Sequence, residues 1–152
     1  MMSEPVVSIE LVRWAKKAHN TDLEEVIRFL GTVVSTLSSE ESWTHGYSAV
    51  NARDEEVDPE SSDACRWCLT GAITKSWRND QNDFLLRHRQ QTVELLDMQV
   101  VERWPESPPT CSVYTSLANF NDSFDYSDVY GLLEDTLGAL EKESQTRGKL
   151  NV

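Results

Sequence analysis

Leu23, Val26, Ile27, Leu30, Val33, Val34 and Leu37 recur at spacings of three and four along one stretch of this chain. Only an α-helix gathers such positions onto one face, because about 3.6 residues make a turn. A stripe that wide has to be buried against other elements. Thr21-Asp-Leu-Glu24 overlaps its start and reads as a capping box, in which the Thr hydroxyl and the Glu carboxylate satisfy backbone groups that the first turn leaves without partners. Ser38-Ser39 marks its end.

Other segments repeat the pattern more weakly. Residues 8–19 predict a short helix with Ile9, Val12 and Ala15 inward and Lys16 and Lys17 outward. Val129, Leu132, Leu133, Thr136, Leu137 and Leu140 form the stripe of a last helix, with Ser127 as its cap. Residues 83–104 are helical in composition, although the polar run 87–92 leaves one long helix or two short ones open. Pro105, Pro108 and Pro109 precede a short helix over about 110–118, and Asn119-Phe-Asn-Asp122 begins a polar loop. Between 43 and 59, Gly46, alternating small and apolar residues and an Asp54-Glu55-Glu56 turn predict an extended strap or irregular hairpin. With 152 residues, one sizeable core is expected. The fold class is therefore mainly α: a single domain of five or six helices with a strap around 43–59, and polar ends that fray at about 1–7 and 143–152.

Cys65-Arg-Trp-Cys68 matches the spacing of zinc and thioredoxin-like sites. A structural zinc needs four ligands, and Cys111, His19, His45 and His88 are the distant candidates for the rest. At helical spacing Cys65, Cys68, Leu69, Ala72, Ile73 and Trp77 form one apolar stripe, with Ser61 or Ser62 as cap and Asn79-Asp80 as end. Both thiols then read as small buried hydrophobes, and no metal or cofactor is expected. His45 reads as an exposed turn residue and His88, among arginines, as a surface residue. Asp54-x-Glu56-x-Asp58 imitates the start of a calcium loop, but Pro59 stands where that loop needs Gly and Cys65 where it needs Glu.

Twenty-six acidic against fourteen basic residues give a formal net charge of −12. Direct binding to nucleic acid is disfavoured, because it depends on clustered Lys and Arg. No base stands between Arg103 and Lys142, and the run from Asp54 to Asp63 has six acids and no base. The acids are either a solubilising surface or a face for a basic macromolecular partner, with nucleic-acid mimicry one form of it. Asp54, Glu55, Glu56, Asp58, Glu134 and Asp135 are the candidate face. The first residues lack a basic segment followed by an apolar run, so no secretory signal is expected. No stretch has the ~18 apolar residues that span a membrane. Three cysteines suggest free thiols and a cytoplasmic location.

Trp43-Thr-His-Gly46, Ala52-Arg-Asp54, Val57-Asp-Pro59, Arg66-Trp-Cys-Leu-Thr-Gly-Ala-Ile73 and Phe120-Asn-Asp122 occur in that order. Together they resemble a small-protein family of bacteria and their phages, marked by a Trp-Cys-x-x-Gly-Ala segment and a later Trp-Asn-Asp segment. Phe120 stands where that family has Trp, and Glu55 or Glu56 where it has Gly. The resemblance implies no activity. It does single out Arg53, Cys68, Asn121 and Asp122 as a ligand or bracing site, and Gly71 as a place where another backbone approaches. The expected function is a non-enzymatic acidic binding protein, an accessory protein of a phage or mobile element that engages or inhibits a host macromolecule. The alternative is a small-molecule-binding protein or hydrolase centred on Cys68 and Asn121-Asp122.

Overall fold

The computed structural model describes residues 7–79, 85–104 and 113–150. Within them the chain forms six α-helices: α1 (Ile9–Lys17), α2 (Asn20–Thr36), α3 (Leu69–Asn79), α4 (Leu85–Arg103), α5 (Val113–Ser123) and α6 (Tyr126–Leu150). Two short strands, β1 (Ala49–Val50) and β2 (Arg66–Trp67), pair antiparallel in the segment between α2 and α3. The mainly α architecture with an irregular extended strap is as the sequence predicts.

Helix α2 is the axis of the molecule and packs against α3, α4 and α6. That arrangement explains a difference from the periodicity. Phe29 is fully buried beside Leu23, Val26, Leu30 and Val33, whereas Ile27 and Val34 are only half-buried. A helix flanked on three sides buries more than one stripe. Thr21 and Glu24 do not cap it. α1 ends at Lys17, so only Ala18 and His19 separate the helices, and α2 begins one residue ahead of Thr21. In its first turn Asp22 instead accepts from Arg87 (2.5 Å) and lies 3.1 Å from His88 Nε2, tying α2 to α4.

His88 is therefore a fully buried residue and not a surface one. The polar run 87–92 does not interrupt α4. His88 and Thr92 turn inward, and Thr92 donates to the His88 carbonyl (2.7 Å), so the helix continues through them. Deeper in the core Gln99 accepts from the Ser8 N–H (2.5 Å) and donates to Thr136 (3.4 Å), which links α1, α4 and α6. Ser8 also caps α1, its hydroxyl accepting from the Leu11 N–H at 3.0 Å.

The last helix starts after Asp125, whose carbonyl accepts from Asp128 and Val129, so Ser127 lies inside the first turn and is not the cap. α6 runs to Leu150, through the segment whose polarity suggests fraying. Arg147 accounts for that continuation. Its guanidinium donates to the carbonyls of Ala15 and Lys16 at the end of α1 and to Asn20 Oδ1 (2.9 Å). It satisfies carbonyls that a helix end leaves without partners. The expected short helix after the prolines begins, in the described residues, at Val113; residues 105–112, Cys111 included, lie outside them, as do 1–6, 80–84 and 151–152.

Candidate functional site

The Cys-x-x-Cys segment is not helical throughout. Arg66 and Trp67 are extended because they pair with Val50 and Ala49, and the Cys65 N–H donates to the Val50 carbonyl (3.0 Å). α3 cannot start until Leu69, so Ser61 and Ser62 do not cap it. Ser61 closes a local turn instead, accepting from the Asp63 N–H. Residues three apart along an extended chain point to opposite sides, and Cys65 is exposed while Cys68 is buried. Cys68 stands at the amino end of α3, where Sγ accepts from the Gly71 N–H (3.3 Å) and lies 3.1 Å from the Thr70 hydroxyl. In a Cys111→Ser background Cys65 should alkylate rapidly and Cys68 only when the start of α3 opens. Mass spectrometry showing equal rates for both would contradict this environment.

Asn119 to Asp122 form the last turns of α5 and not a loop. Helical geometry lets Asn121, which is completely buried, turn toward α3 and the strap. Its Oδ1 accepts from the Leu69 N–H (3.0 Å) and from the Trp43 indole N–H (2.7 Å). Its Nδ2 donates to the Thr44 carbonyl (3.1 Å) and to Asp122 Oδ1 (3.3 Å), which also accepts from the Gly46 N–H (2.9 Å). Trp67 and Cys68 close the same knot through their backbone. The Thr44 N–H donates to the Trp67 carbonyl, and the Cys68 N–H donates to the Ser48 carbonyl (both 3.1 Å). The segments Trp43–Gly46, Trp67–Ala72 and Phe120–Asp122, far apart in the chain, thus meet at one side chain, Asn121. Phe120, where the resembled family has Trp, packs on Trp104 and Phe124 at centroid separations of 4.9 and 5.2 Å.

Arg53 is not part of this knot. It sits in an exposed turn whose backbone is held by Asn51 Oδ1, which accepts from the Arg53 and Glu55 N–H groups. Within that turn Asp54, rather than Glu55 or Glu56, takes the left-handed conformation (φ 60°), which Asp tolerates better than most residues. Glu55, Glu56 and Asp58 are exposed. Two members of the candidate acidic face form ion pairs among the described residues: Asp54 lies 3.9 Å from Arg66, and Asp135 bonds Arg103 at 2.7 Å, bracing α4 against α6.

Beside the knot opens a cleft of roughly 640 Å³ between the end of α5, the start of α6 and the turn Glu40–Ser42. Asp122 lines it, as do Glu40, Asp125, Trp43, Tyr126 and His45; Cys68 and Asn121 do not. Tyr126 packs on Trp43 (6.0 Å between centroids), Trp43 on His45 (5.6 Å), and Tyr130 stacks on Tyr126 (5.5 Å). The Tyr126 hydroxyl donates to the Leu37 carbonyl at 2.5 Å. Burial first, then Tyr130, Glu134 and Glu40, push its pKa above the usual tyrosine value, so it keeps that donor proton to higher pH. Glu40 and Tyr126 are not legible as site residues in the sequence; Trp43 is marked only as part of the Trp43-Thr-His-Gly46 segment that carries the resemblance.

A family model described as a family of unknown function matches residues 21–139, most of the chain. No curated protein and no solved structure matches it. Among the described residues no helix is long and apolar enough to cross a membrane.

Proposed function

The chain belongs to DUF6197, a family of unknown function, and from that premise we propose that it is a non-enzymatic binding protein whose acidic surface engages a basic protein. One observation carries the reading. Glu40, Glu55, Glu56, Asp58, Asp122, Asp125 and Glu134 pair with no Lys or Arg among the described residues. Unneutralised carboxylates project a field that steers a cationic partner. The phage or mobile-element setting implied by the resemblance suits an accessory protein that engages or inhibits a host macromolecule. The alternative centred on Cys68 with Asn121-Asp122 is less well supported, because only Asp122 of the three lines the cleft.

A partner recovered from the native host should bind less tightly as salt rises, chiefly through a slower on-rate, since screening acts over about 8 Å at physiological ionic strength. Reversing Glu55, Glu56 and Glu134 to Lys should lower affinity roughly tenfold or more while leaving the melting temperature unchanged, because exposed acids contribute little to stability. Release of the partner by duplex DNA would identify nucleic-acid mimicry. A partner whose affinity ignores both salt and these reversals would refute the reading.

A further inference from the structure

We draw no further inference here: the strongest candidate, the apolar groove between α1 and α6 that Leu11, Ala15, Gly138 and Ala139 line and Lys16 and Lys142 border, carries nothing because nothing in the structure shows what covers it.

Discussion

Replacing Gly71 by alanine is expected to lower stability by at least about 3 kcal/mol, at or above the upper end of ordinary overpacking. A Cβ at this position would stand 1.9 Å from the Ser48 carbonyl oxygen and 2.8 Å from its carbonyl carbon. Both are backbone atoms, so no flexible side-chain end can yield. Ser48 cannot simply withdraw, because its carbonyl accepts from the Cys68 N–H (3.1 Å) and the next residue, Ala49, begins the strand paired with Trp67. Alanine favours the helix by about 1 kcal/mol over glycine, far too little to offset the clash. Gly138→Ala is the matched control. It lies in α6 with nothing within 4 Å of the added carbon, and should stabilise by roughly 0.5–1 kcal/mol. Urea unfolding followed by circular dichroism separates the two. Equal effects at both positions would show that the strap does not press on α3.

The contrast between these glycines also shows where the sequence is readable. The apolar periodicities of α2 and α6 predict those helices because they reflect a local constraint, the helical repeat against one core; α1 is a helix as expected, but Leu11 and Ala15 face the core while Ile9 is exposed. Gly71 was readable for a related reason: a glycine within a helical pattern incurs a cost that needs compensation, and Ser48 supplies it. The start of α3 was not readable. Cys65, Arg66 and Trp67 fit a helix by spacing, yet pairing with residues 49–50, some sixteen positions away, keeps them extended. The neighbours of His88 mislead for the same kind of reason. Its neighbours Arg87 and Arg89 suggest solvent, while its environment is set by Asp22 on another helix.

The site divides along the same line. Asn121 and Asp122 stand out as bracing residues, but their polarity suggests a loop, whereas α5 carries Asn121 into the interior and leaves Asp122 exposed at its rim. Glu40 and Trp43 belong to one short turn and Tyr126 to the start of α6, more than eighty residues on, so nothing local announces that they share a cleft. The acids were legible as charge and illegible as geometry: Asp135 and Glu134 are adjacent in sequence, yet one is spent on Arg103 and the other is exposed.

Asn121→Ala is expected to cost on the order of 3 kcal/mol, because several buried groups lose their partner at once. Truncation removes the acceptor of the Leu69 N–H, one of the free donors at the start of α3, and of the Trp43 indole N–H. It also removes the donor to the Thr44 carbonyl. Each buried group left unsatisfied costs roughly 1–3 kcal/mol, although water reaching the half-buried Trp43 and Thr44 recovers part of that. Trp43→Phe removes one of the same bonds and should cost about 1 kcal/mol. If Asn121 is the hub, the double variant should cost less than the sum of the singles by ~1 kcal/mol, since the indole bond is then lost only once. Chemical denaturation of the four proteins gives this coupling directly. Strict additivity would mean that the indole bond contributes nothing. Unchanged stability in Asn121→Ala together with lost partner binding would instead make Asn121 a recognition residue, and the knot would then belong to the binding surface rather than to the fold beneath it.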